Sequence, residues 1–158
     1  MNIVLLEPEI APNVGSIARL CAVTRSCLHL IEPFGFKWDD RQLKRAGMDY
    51  WDHVEWKRWS DWPSFRNSVP EGSVVWFVEG GGPHRYADVS YGANDYLVFG
   101  RETAGIPTGL LESDREHWIR IPMFHCKSRS LNVANCAALV VYEALRQRGF
   151  GNEILGET

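Results

Sequence analysis

Cysteine is scarce in this chain of 158 residues and never paired in a C-x-x-C step; Cys21, Cys27, Cys126 and Cys136 stand apart. Met1-Asn2 leads straight into Ile3-Val4-Leu5-Leu6 and then Glu7-Pro8-Glu9, with no basic run or small-residue cleavage site. Free buried thiols and a cytoplasmic location are therefore expected, and a disulfide framework is not. His125, Cys126 and Cys136 match no zinc spacing, so no metal is expected. Long apolar runs are missing too. The longest, Cys136 to Tyr142, has seven residues, whereas a helix crossing a bilayer takes about 20; no membrane partner is expected. There is no G-x-G-x-x-G and no G-x-x-x-x-G-K-[ST]. Gly100 and Gly105 have the outer Walker spacing without its lysine, which disfavours a nucleotide triphosphatase. There is no G-x-S-x-G elbow for a serine nucleophile either.

Positive charge is short overall: 17 Lys and Arg against 20 Asp and Glu give a net charge of −3. Its distribution is uneven. Residues 119 to 148 carry Arg120, Lys127, Arg129, Arg146 and Arg148 against Glu143, a net of +4. Residues 37 to 45 carry Lys37, Arg41, Lys44 and Arg45 against Asp39 and Asp40, a net of +2, which leaves the remainder strongly acidic. Each segment alone reads as a solvated face; together they permit a basic patch for phosphates.

Apolar residues make up 45% and charged residues 23%, the balance of a soluble globular protein, and the length suits one domain over 1–158. Short β-type runs alternate with helical patterns, the signature of an α/β fold with a largely parallel sheet. Strands are expected at Ile3–Leu6, Cys27–Ile31, Ser73–Val78, Tyr96–Phe99 and Trp118–Ile121. Asn13 is expected to cap a helix carrying Val14, Ile17, Ala18 and Cys21. Asp39 or Asp40 is expected to cap a short basic helix ending near Gly47, and Ser60 another with Pro63 in its first turn. The last helix begins around Ser130 to Asn132 and stops at Gly149. Its apolar surface exceeds one core-facing stripe, which fits either a subunit interface or deep burial in its own domain. The residues from 150 to 158 read as a mobile tail.

Seven tryptophans are many for this length. Trp56, Trp59 and Trp62 recur every third residue with Lys57 and Arg58 between; they suit stacking on unpaired bases, or packing of a helix or loop on the domain. His29, between Leu28 and Leu30, reads as structural. Three strands end in loops that let backbone approach a ligand: Glu79-Gly80-Gly81-Gly82-Pro83, Gly100-Arg101-Glu102-Thr103-Ala104-Gly105-Ile106-Pro107, and Pro122-Met123 onward to Asn132. Ligands of open α/β sheets sit beyond such strand ends.

Three stretches in register resemble the motifs of the SPOUT RNA methyltransferases. They are Asn13-Val14-Gly15-Ser16-Ile17-Ala18-Arg19-Leu20-Cys21, then Phe99 through Pro107, then Ile121-Pro122-Met123 with Ser128-Arg129-Ser130-Leu131-Asn132-Val133-Ala134-Asn135. Leu5-Leu6-Glu7-Pro8-Glu9-Ile10 and Gly35-Phe36-Lys37-Trp38-Asp39-Asp40, with Arg45-Ala46-Gly47 and Asp49-Tyr50, resemble the branch that methylates the wobble ribose of tRNA. The second motif usually reads Gly-Pro-Glu-Thr-Arg-Gly in that branch; Arg101 and Ala104 depart from it.

The resemblance implies a SPOUT-type domain with helices on both faces of the sheet and a C-terminal trefoil knot. It implies a homodimer that acts on C34 or U34 in the anticodon stem-loop of leucine tRNAs. S-adenosylmethionine is the implied methyl donor and S-adenosylhomocysteine the product, with no metal. Alternatives on the same scaffold are another tRNA or ribosomal RNA target, or an RNA-binding domain without catalysis. Matched position by position, Val78, Gly100, Ile121, Met123, Ser130 and Leu131 fall at the cofactor, and Arg19 and Tyr142 at catalytic positions. Asn13, Arg41, Lys44, Arg45, Glu102, Lys127 and Arg129 are assigned to substrate. Ser130 suits a cofactor contact or a helix cap, Glu102 a substrate contact or an ion pair, and Tyr142 catalysis or packing.

Overall fold

The computed structural model describes residues 1–38, 51, 53–125, 130–151 and 153–154. Arg41, Lys44, Arg45, Lys127, Arg129, the helix expected up to Gly47 and most of the expected tail lie outside them.

Among the described residues seven strands form one sheet: β1 Asn2–Leu6, β2 Cys27–Ile31, β3 Trp56–Trp59, β4 Val75–Val78, β5 His84–Arg85, β6 Tyr96–Phe99 and β7 Trp118–Arg120. Their spatial order is β3-β2-β1-β6-β4-β7-β5 and all pairings are parallel. The described helices are α1 Ala11–Thr24, α2 Trp62–Ser68, α3 Thr108–Ser113 and α4 Val133–Gln147. An α/β fold built on a parallel sheet is what the alternating runs predict.

Successive strand residues point to opposite faces, and here both faces are covered, so the inner strands are apolar throughout. Ile3, Leu5, Leu28, Leu30, Leu97 and Phe99 meet Val14, Ile17 and Ala18 of α1 and Ala137, Val140 and Ala144 of α4 on one face. Val4, Leu6, Ile31, Phe77 and Val98 meet Phe65 of α2 and Leu111 of α3 on the other. Alanines at 18, 137 and 144, all fully buried, let α1 and α4 lie close over the sheet. Each fully buried Leu or Ile adds roughly 1.5–3 kcal/mol.

Three expected caps are corrected. α1 starts two residues earlier than Asn13, with Ile10 at its N-cap and Pro12 in its first turn, so Asn13 lies inside the helix. Asp61 rather than Ser60 caps α2, its carboxylate accepting from the Ser64 N–H at 2.7 Å. Asn132 rather than Ser130 caps α4, accepting from the Ala134 N–H at 2.9 Å.

The tryptophan triplet is split between a strand and a helix. Trp59 stacks on His29 and Trp62 packs on Phe65 and Phe77, while Trp56 faces the opposite side against Trp38 and Trp51. These rings are used in packing, and residues 56–59 form the edge strand β3 rather than a helix or loop. His29 is structural as expected. Its Nδ1 accepts from the Trp59 indole at 3.1 Å, which leaves the proton on Nε2 toward Asn2. Burial, helped by the nearby Lys57 charge, pushes its pKa down to about 4.

Candidate functional site

Because the strands are parallel, their carboxyl ends share one edge. The chain lays β2 and β3 to one side of β1 and the later strands to the other, so connections diverge there and leave a crevice. A cleft of about 490 Å³ opens at this edge. It is lined from β1 and α1 by Ile10 and Asn13, from β4 by Val78 to Gly80, from β6 by Phe99 to Gly105, and beyond β7 by Ile121, Met123 and Ser130 to Val133.

All six residues matched to the cofactor, Val78, Gly100, Ile121, Met123, Ser130 and Leu131, line this one cleft, together with Asn13 and Glu102. Arg19 and Tyr142 do not line it. Arg19 is exposed on α1, and Tyr142 is 49% exposed on α4, beside the 42% exposed Leu139. The last helix thus buries an inner face, with Ala137, Val140, Val141 and Ala144 in the core, and leaves Leu139 and Tyr142 exposed on its outer face.

The loop after β6 folds back on itself. Arg101 and Gly105 exchange two backbone hydrogen bonds, at 3.2 and 2.9 Å. The first uses an N–H that proline at position 101 would lack. A Cβ at Gly100 would stand 2.2 Å from the Gly105 carbonyl carbon and 2.4 Å from the Ile106 nitrogen, so this turn admits only glycine there. Gly105 has φ +67, and its Cβ would collide with Glu79. The Glu79 carboxylate instead accepts from the Ile106 N–H at 3.0 Å and the Gly80 N–H at 2.9 Å, tying the β4 loop to the β6 loop.

The same loop is laced to the segment after β1. Arg101 pairs with Glu7. Glu102 accepts from the backbone N–H groups of Glu9 at 2.8 Å and Ile10 at 3.2 Å, and from Asn13 Nδ2 at 2.9 Å. Thr103 donates its N–H and its hydroxyl to Glu9, both at 2.8 Å, and these bonds hold the Glu9 carboxyl below the usual carboxylate range. Ile10, the N-cap of α1, has no side-chain oxygen to offer; a carboxylate from the β6 loop is bound at that end, where the helix dipole also favours it. Glu102 is therefore engaged by N–H donors, not by a basic neighbour.

Asn13 continues the connection: its Oδ1 accepts from Asn132 Nδ2 at 2.9 Å. One line of hydrogen bonds thus joins the β6 loop, α1 and the start of α4. Glu79 and Asn132 are the functional positions that residue patterns left unassigned. Asn132 carried a signal, a cap-type residue directly ahead of a long apolar helix; Glu79 carried none beyond its place at a strand end. Half-buried Cys136 also lines the cleft, its thiol pushed up by burial. Among the described residues no group of three His, Cys, Asp or Glu side chains is placed to hold a metal, and no helix is long and apolar enough to cross a membrane.

In chemical terms the cleft offers main-chain donors and acceptors, apolar walls and few charges. Met123 and Leu131, 43% and 40% exposed, leave apolar surface open to a flat, partly apolar ligand.

Residues 1–142 match the model of the SpoU rRNA Methylase family. The chain is 46% identical over 156 residues to the tRNA (cytidine(34)-2'-O)-methyltransferase of Escherichia coli strain K12, covering 98% of each chain. It is 46% identical over 162 residues to the enzyme of the same name from Yersinia pestis, covering 99% of each. A solved structure concerned with 2-OH methylation of C/U34 on tRNA superposes with a TM-score of 0.88 at 37% identity, covering 94% of this chain and 96% of the other.

Proposed function

The chain belongs to the SpoU rRNA methylase family, and on that footing we propose that it methylates the ribose 2′-hydroxyl of nucleotide 34, cytidine or uridine, in tRNA. The observation that carries this reading is near-full-length identity to tRNA (cytidine(34)-2'-O)-methyltransferases, together with a cleft built from the three strand-end loops. The finer reading is one domain with a C-terminal trefoil knot, working as a cytoplasmic homodimer on the anticodon stem-loop of leucine tRNAs.

S-adenosylmethionine supplies a methyl group already activated by its sulfonium, so the step calls on no metal. In the transfer the O2′–methyl bond would form as the sulfur–carbon bond breaks, with the hydroxyl proton passing to water and S-adenosylhomocysteine as the leaving group. The protein's work is to align the reacting atoms and to favour negative charge on the oxygen. Val78, Ile121, Met123 and Leu131 would supply apolar walls for the cofactor, and the backbone around Gly100 its polar partners. The Ser130 hydroxyl, no longer needed as a cap, is available to the cofactor.

Arg19 does not line the cleft of its own chain, and it is assigned, from the second copy of the proposed homodimer, to the phosphate beside the target ribose and to the developing oxyanion. A guanidinium stays protonated and makes a poor base, while its fork of donors suits both anions. Tyr142 and Leu139 form the face toward the second copy. Arg41, Lys44, Arg45, Lys127 and Arg129 are assigned to tRNA phosphates.

The test is direct. Protein, methyl-labelled S-adenosylmethionine and bulk tRNA are combined with and without EDTA, and the labelled nucleotide is mapped. Label at O2′ of nucleotide 34, unchanged by the chelator, is expected. Label at another position moves the target, absence of label removes the enzyme, and loss with EDTA removes the metal-independent mechanism.

A further inference from the structure

We propose that Arg101 binds substrate: its guanidinium takes a backbone phosphate of the RNA at the mouth of the cleft, leaving the Glu7 carboxylate that holds it beforehand. The inference rests on the reading of the chain as an RNA methyltransferase.

Arg101 is the only cationic side chain among the described residues that line the cleft. The two carboxylates of that lining, Glu79 and Glu102, are bound by backbone and amide N–H groups. Among the described residues, an anionic substrate approaching this mouth therefore meets one counter-charge, Arg101. The Arg101 side chain is 40% exposed, so it stands at the rim and not among the buried floor residues Val78 and Phe99. Its pairing with Glu7 engages one terminal nitrogen, Nη2. The guanidinium has donors on its other nitrogens as well, and a phosphate accepts two of them side by side.

Glu7 is the second observation. It adopts φ +52, a left-handed backbone that residues other than glycine seldom take. Its N–H is nonetheless fixed to the Ile31 carbonyl at 2.9 Å. A residue held in this conformation with its carboxylate on the one cation among the described lining residues points to function. With Arg101 40% exposed the pair lies at the surface on its cationic side, where ion pairs contribute little, so exchanging it for a phosphate costs the fold little. Position 101 is also where the second motif departs from the pattern it resembles, a cation standing in place of the usual proline.

The experiment compares wild type, Arg101→Ala and Glu7→Gln in steady-state methylation of tRNA, with S-adenosylhomocysteine affinity measured by calorimetry as a control on the fold and the cofactor loops. Arg101→Ala is expected to raise KM for tRNA about tenfold, with kcat and S-adenosylhomocysteine affinity kept, and to flatten the log–log salt dependence of RNA binding by about 0.7. Glu7→Gln removes the competitor and is expected to lower KM for tRNA two- to threefold, roughly the effect of deleting one exposed ion-pair partner. A merely structural ion pair moves both variants in the same direction, and that result overturns the proposal. So does an unchanged KM in Arg101→Ala, or a loss confined to S-adenosylhomocysteine affinity, which would assign Arg101 to the cofactor carboxylate. Wild type that methylates no tRNA overturns the functional reading and this inference together; wild-type turnover with an unaffected Arg101→Ala overturns this inference alone.

Discussion

Asn132 Nδ2 donates a hydrogen bond of 2.9 Å to Asn13 Oδ1, joining residues 119 positions apart. Asn13 passes the connection to Glu102 through its own Nδ2, and Asn132 caps α4 with its own Oδ1. Each amide uses its donor and its acceptor in one direction, so the β6 loop, α1 and α4 are held in mutual register beneath the cleft.

Breaking this line is expected to cost both stability and cofactor affinity. Asn13 is buried, and Asn13→Ala leaves Glu102 and Asn132 each short of a partner, a loss of about 1–3 kcal/mol. Asn132→Ala also removes the α4 cap, worth about 1 kcal/mol. Denaturant unfolding and S-adenosylhomocysteine calorimetry on both single variants and the double variant check this. The double variant should lose less than the sum, because the two residues share one bond.

Gly100→Ala is expected to abolish measurable S-adenosylhomocysteine binding, since the added Cβ meets the backbone of Gly105 and Ile106 and the loop must open. Gly109→Ala in α3 is the control. Nothing lies within 4 Å of its Cβ, and alanine there should stabilise by about 0.5–1 kcal/mol. Equal affinity in the two variants would show that the turn at Gly100 does not shape the site.

Much of this was legible in residue patterns, and the limits are physical. Tyr96–Phe99 and Cys27–Ile31 matched the observed strands because buried parallel strands are short unbroken apolar runs. Trp56–Trp59 was not read as a strand, because it carries Lys57 and Arg58 on an edge where one side stays wet. Asn13 was misassigned as a cap because its residue type suits that role; the donors and acceptors it serves come from residues 102 and 132, a distance along the chain that no local spacing encodes. The six positions matched to the cofactor rested on the motif resemblance, and the fold brings all six to one cleft. Arg101 was visible as a departure, but its pairing with Glu7 needed the fold.

His29 makes stability depend on pH. Its pKa is about 4 in the folded protein against about 6.5 unfolded, so the unfolded chain binds the extra proton in that interval. The stability it supports is complete above pH ~6.5 and is lost as pH falls toward ~4, by about 3 kcal/mol in all. Urea unfolding at a series of pH values should show the decline. In His29→Phe the decline over this interval should shrink by a similar amount; an unchanged slope would clear His29 of the effect.

The outer face of α4 is expected to hold the second copy. Leu139→Asp puts a charge where an apolar contact is proposed and should shift sedimentation at micromolar concentration toward the monomer mass, with turnover falling at least tenfold if the dimer is the working form. S-adenosylhomocysteine affinity separates a lost partner from a lost fold. A monomeric wild type with full activity would remove the dimer from the mechanism.

The strand order also sets a timetable for synthesis. β1 ends up paired with β6 on the side away from β2, yet some ninety residues separate the two in the chain. While a ribosome is still making that interval, one flank of β1 has no neighbour, and β4 waits for the same late arrival. Such open flanks invite pairing with other nascent chains. Residues 96 to 99 close both at once, and only later does Asn132 emerge to lock the cleft. A product cut short between these points would have at least five of the seven described strands paired but no α4 over one face of the sheet, a reason for translation through this last third to be followed closely by docking of α4.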